Sequence, residues 1–251
     1  MNSVSPMKKK GNFMSINQAS RVLSALSIAV AIFLVAIVLP RMIFESGPAR
    51  LATTQGLELI LSLVAIAVLG KGKFSEYGFC LPKGGYQWML IAATAPLLGI
   101  AATIAVLGLG GSGSPVAKSL TFPQIVLFVW ILSSTIEEVF TRGFLQGHLA
   151  PLSGRYLEFP LFKIEIPVLV SAVFFSAMHL VLAFSGADAV TTVVTLLFTF
   201  AIGLIAGHLR SLTGSLIPAI VVHMLANIGG MIGGILYAVF CMLTGRPLPG
   251  V

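Results

Sequence analysis

Residues 22–39 read VLSALSIAVAIFLVAIVL, eighteen residues without a charge. As a helix rising 1.5 Å per residue, this run is about 27 Å long, close to the ~30 Å of hydrocarbon in a bilayer. The run is apolar all round, with no polar stripe to turn towards water. A soluble amphipathic helix would carry such a stripe. Lys8, Lys9 and Lys10 precede the run, as in a secretory signal. Its length and the lack of a small-residue cleavage site favour a retained first helix.

The rest of the chain repeats the pattern. Of 251 residues, 57% are apolar and 9% charged, against about 45–50% and 25% in soluble domains. The expectation is an all-α, polytopic transmembrane bundle of about eight helices. They are placed at about Ala19–Leu39 (stopped near Pro40), Gly56–Leu69, Trp88–Leu109 (bent near Pro96), Leu120–Leu149, Ile166–Phe184, Val190–Leu209, Ser215–Ala226 and Met231–Leu243. The last two are divided at Gly229-Gly230. Residues 1–18 form a basic N-terminus and 244–251 a tail. One membrane domain spans 19–243, with its polar core at about 120–230.

The net charge of +7 sits mainly between the apolar runs, which reads as topology and lipid contact rather than nucleic-acid binding. With an even number of crossings, both termini would be cytoplasmic in a multi-pass protein of the cell membrane. Cys80 and Cys241 are far apart in sequence and match no metal or redox spacing. The oligomeric state is left open.

Three polar clusters interrupt the later helices. Residues 137–142 read EEVFTR, 175–179 FSAMH and 223–227 HMLAN. Glu138 and Arg142 are four apart and share a face, as do Phe175 and His179, and His223 and Asn227. Glu137 lies about 100° from Glu138 and has no evident local partner. Each such group costs several kcal/mol in hydrocarbon unless it faces another or water, so the clusters predict one shared cavity. Depth permits this if the fourth helix runs on to about Leu149. Glu137 and His179 would then both lie roughly 15–20 Å from the same helix ends.

A desolvated carboxylate beside imidazoles suits general-base chemistry. Water held by Glu137 and His179 would attack an amide carbonyl, while His223 and Asn227 donate to the oxyanion. Three alternatives remain for the same residues. A zinc site would use Glu137, His179 and His223, although no HExxH helix is present. A proton-coupled transporter would use the carboxylates and histidines as a relay. A non-catalytic membrane scaffold would keep the cluster for structure alone.

At these clusters the chain resembles the CAAX protease and bacteriocin-processing family of intramembrane endopeptidases, also called the Abi family. Its pattern of EExxxR, FxxxH and HxxxN on successive membrane helices is matched in order. The resemblance implies a membrane-bound peptidase, similar to type II CAAX prenyl endopeptidases, with a non-catalytic bacteriocin-immunity protein as the alternative; no cofactor is expected, zinc being the alternative. Glu137 and His179 would activate water, and His223 and Asn227 would form the oxyanion side. Glu138, Arg142 and Phe175 would support them. The implied substrate is a membrane-associated peptide or protein, cut near the C-terminus of a lipidated chain in the prenyl-processing branch.

Overall fold

The computed structural model describes residues 15–158 and 163–247. The lysines at 8–10, Pro160 of the connection before the fifth helix, and the tail beyond 247 lie outside the described residues. Among the described residues seven helices are long and apolar enough to cross a membrane: α1 (Ile16–Ile43), α2 (Pro48–Leu69), α3 (Gln87–Gly108), α4 (Phe122–His148), α5 (Ile166–Ser185), α6 (Ala189–Thr213) and α7 (Ile217–Thr244). A short antiparallel hairpin, β1 (Tyr156–Glu158) and β2 (Lys163–Glu165), precedes α5. Leu34, Val38, Val64, Val68, Leu197 and Ile235 face outwards, which suits a surface solvated by lipid. The protein is a multi-pass helical membrane protein.

Three expected boundaries move, each for a physical reason. Pro40 does not stop α1, which continues to Ile43. A proline removes one helix hydrogen bond and crowds the carbonyl four residues back, but so close to the helix end only one further turn follows it. The second helix begins at Pro48, not Gly56. Pro48 occupies a first-turn position, where proline is favoured, after Gly47 at φ +92°. The divide at Gly229-Gly230 is absent, and the two expected C-terminal helices are one, α7. A break there would expose backbone groups to hydrocarbon. These glycines instead admit α3: a side chain on Gly229 would collide with the Pro96 backbone, and one on Gly233 would lie 2.8 Å from the Ile100 carbonyl oxygen.

Long-range contacts define the two ends of the bundle. At one end Arg21 donates to the His148 carbonyl (3.3 Å) and Arg210 to the Glu76 carbonyl (3.0 Å). The Lys83 N–H there reaches the Thr213 carbonyl at 2.9 Å. At the other end Arg41 donates to Ser185 Oγ (3.2 Å) and Ser112 to Asp188 (2.7 Å). The chain therefore alternates between ends, and α1 begins at the opposite end from that where α7 finishes.

The apolar interior has two parts. Ala29, Ile66, Phe140, Phe144, Phe174 and Phe175 join α1, α2, α4 and α5, with Phe140 and Phe174 edge to face at 5.6 Å. Trp88, Ala95, Ile202, Val222 and Ala226 join α3, α6 and α7. Gly203 and Gly207 of α6 close on Ala172 and Val168 of α5, so this small-residue face works within the chain. The polar residues lie where the two parts meet.

Candidate active site

Helix α4 carries the first cluster and is not a uniform α-helix. It is π-helical over Ile125–Ser133 and Val139–Leu145, with an α-helical turn at Ser134–Glu138 between them. π-Segments are rare and gather at functional sites. The helix ends at His148, the extension that the depth argument requires.

Glu138 is the hub. Its carboxylate, wholly enclosed, accepts from Arg142 Nη1 at 3.0 Å and from His223 Nδ1 at 3.0 Å with the same oxygen. Arg142, also wholly enclosed, donates to Thr141 Oγ1 at 2.6 Å and stacks over the Phe175 ring at 4.4 Å. Gly203 of α6 leaves the space in which the guanidinium lies; a Cβ there would sit 3.1 Å from Arg142 Nη2. Phe175 is a wall shared by both histidines, edge to face with His179 at 5.0 Å and His223 at 5.3 Å between ring centroids.

These contacts orient both imidazoles. A carbonyl can only accept, so the 2.9 Å bond between His179 Nδ1 and the Phe175 carbonyl places a hydrogen on Nδ1. In the neutral ring Nε2 then carries the free lone pair. In the same way the His223 Nδ1 hydrogen goes to Glu138, and Nε2 lies 3.9 Å from Glu137 Oε2.

Glu137 differs from its neighbour. Its side chain keeps 18% exposure where Glu138 has none. Ser133, four residues earlier, donates to Oε1, a local partner that the spacing allowed but sequence reasoning passed over. Oε2 is buried without a protein donor among the described residues. One carboxylate is thus consumed by structure and the next keeps an open oxygen.

Six of the seven expected residues converge around Phe175: Glu137, Glu138, Arg142, Phe175 itself, His179 and His223. Asn227 lies one turn beyond His223 and is otherwise engaged, its amide donating to the Val129 carbonyl (3.2 Å) and Ser134 Oγ (3.1 Å). With Val129 it also lines a mainly apolar cavity of about 330 Å³ between α3, α4, α6 and α7. The zinc alternative does not fit the donor geometry: among the described residues no three His, Cys, Asp or Glu side chains form a set able to hold a metal ion.

Sequence reasoning also missed two residues of α2. Gln55 and Glu58 are buried, each 6% exposed. Gln55 Nε2 donates to the Phe128 carbonyl of α4 at 2.8 Å, and Glu58 lies on the helix that packs on the Ser134–Glu138 turn, its Oε1 buried without a protein donor among the described residues. The signal was present, since an acidic residue inside an apolar membrane helix is expected to have a function.

No curated protein and no solved structure matches the chain. A family model described as type II CAAX prenyl endopeptidase Rce1-like matches residues 119–229, a stretch that contains all three motifs. Over that part, the chain is similar to the Rce1-like CAAX protease family.

Proposed function

We propose that this protein is an intramembrane endopeptidase in which Glu137 activates water for attack on a peptide bond. The observation that carries the reading is the division of labour between adjacent carboxylates. Glu138 is consumed by Arg142 and His223, while Glu137 keeps Oε2, without a protein donor among the described residues, on the side of His223 Nε2.

In this mechanism Glu137 Oε2 accepts one hydrogen of the water, and His179, its ring fixed by the Phe175 carbonyl, assists from the facing helix. Glu137 takes a proton as the water oxygen bonds to the carbonyl carbon. It then returns that proton to the leaving amine as the C–N bond breaks. His223 Nε2 donates to the oxyanion when the ring carries both hydrogens, with Glu138 and Arg142 fixing its plane. Asn227 becomes the second donor by giving up Ser134 Oγ. Donors held ready for developing charge are worth about 3–4 kcal/mol each. The proposed substrate is a membrane-associated chain cut near its C-terminus, lipidated in the prenyl-processing case.

Orientation follows from the two ends of the bundle. Arg21, Lys71, Lys73, Lys83, Arg155, Lys163 and Arg210 lie at the end where α1 begins, against Arg41, Arg50, Lys118 and Arg246 at the other. The basic end is cytoplasmic by the charge bias of membrane proteins. We infer from the seven long apolar helices that the end of α7 lies on the face opposite the start of α1.

The test is cleavage by purified protein in liposomes, using prenylated C-terminal peptides and membrane-protein fragments. Glu137→Ala and Glu137→Gln should each lose at least about 100-fold. Equal cleavage by wild type and both variants would remove Glu137 from the mechanism.

A further inference from the structure

Helix α2 presents Gln55, Glu58 and Ser62 at i, i+3 and i+7, a single face, and all three are buried. Two of their polar functions are satisfied. Gln55 Nε2 donates to the Phe128 carbonyl, and Ser62 Oγ donates to the Glu58 carbonyl at 2.6 Å. Gln55 Oε1 and Glu58 Oε1 have no protein donor among the described residues, and neither has Glu137 Oε2 on the facing helix α4. Helix α2 packs directly on the Ser134–Glu138 turn of α4. The face between them therefore holds acceptors in excess of donors, in a bundle where each unsatisfied polar group costs several kcal/mol. Water supplies two donors at once, and buried water sits where two to four polar partners converge.

We propose that Glu58 is a positioning residue of the site, which with Glu137 holds a water between α2 and α4. The catalytic part of this rests on the proteolytic reading above. The water donates one hydrogen to Glu58 Oε1 and the other to Glu137 Oε2, which aims an oxygen lone pair away from both carboxylates. On attack, Glu137 takes its hydrogen and the new O–C bond forms. Glu58 keeps the second hydrogen bond and gains no proton. Ser133 on Glu137 Oε1 and Gln55 on Phe128 hold the two walls in register.

The experiment compares wild type, Glu58→Gln, Glu58→Leu and Glu137→Gln in the liposome assay, with an unfolding midpoint for each. Glu58→Leu should lower kcat roughly 100-fold, the scale of a misplaced reactant, with KM within about twofold. Its midpoint should not fall, because a buried group without a donor has been removed. Glu58→Gln retains an acceptor oxygen and should recover about a tenth or more of wild-type kcat. Full activity in Glu58→Leu, or a loss that tracks a lowered midpoint, would overturn the proposal. If Glu137→Gln is still inactive in that case, the proteolytic reading survives. If wild type cleaves nothing in the panel, that reading fails, and the shared water is judged by the double variant Glu58→Gln/Glu137→Gln. Midpoint shifts that do not add show that the two carboxyls are coupled, and additive shifts show that they are not.

Discussion

Glu138 serves two partners with one oxygen, and removing Arg142 tests how far the site depends on that arrangement. In Arg142→Met the carboxylate stays enclosed, with no exposure and only His223 as donor. Breaking a buried pair from one side costs about 3–5 kcal/mol. Losing the guanidinium from the Phe175 ring at 4.4 Å adds about 0.5–2 kcal/mol. At about 2–4 °C per kcal/mol for a chain of this size, the midpoint should fall by on the order of 10 °C or more. Glu138→Gln should fall comparably, because it strands the charge of Arg142. The double variant Glu138→Gln/Arg142→Met carries no buried charge at this point and keeps an acceptor for His223 Nδ1. It should therefore be less destabilised than the two single changes summed, by at least about 2 kcal/mol, within the range for residues in one network. Thermal unfolding in detergent, followed through Trp88 and Trp130, reads all four proteins. Additive losses would refute the shared-hub account. A double variant with full stability but no peptidase activity would show that the pair orients His223 rather than holds the bundle.

Asp188 caps α6 and accepts from the Ser112 N–H, the Thr191 N–H and both of their hydroxyls at 2.7–2.8 Å. These bonds, that of the Ser112 N–H foremost, hold its carboxyl well below its ordinary value of 3.8. A depressed value means that this tie is fully present above about pH 4 and is lost as pH falls below it. Asp188→Asn should lower the midpoint at neutral pH and flatten its acid dependence, whereas an unchanged acid slope would remove Asp188 from that role. Gly229→Val should cost about 1–3 kcal/mol or more by forcing α3 from α7, and an unshifted midpoint would contradict the close packing. Lys83→Cys and Arg246→Cys, each in a background lacking Cys80 and Cys241, should react with an impermeant maleimide from opposite sides of the membrane. Labelling from one side would restore the even number of crossings.

The sequence by itself determined that this is a bundle of membrane helices, because eighteen uncharged residues can be solvated only by lipid or by other apolar helices. It also brought out EEVFTR, FSAMH and HMLAN, because a polar group in hydrocarbon is costly enough to stand out wherever it falls. Spacing of four residues correctly paired Glu138 with Arg142. What spacing within one helix cannot show is which other helix faces it. That is why the 3.0 Å bond from His223 to Glu138, the use of Asn227 by α4, and the packing of α2 on the Ser134–Glu138 turn belong to the tertiary structure alone. The glycines make the same point. Gly229 and Gly230 read equally well as a break or as a contact surface. Only the backbone of α3 lying against them decided for contact, making one continuous α7 whose last turn lies at the far end of the bundle.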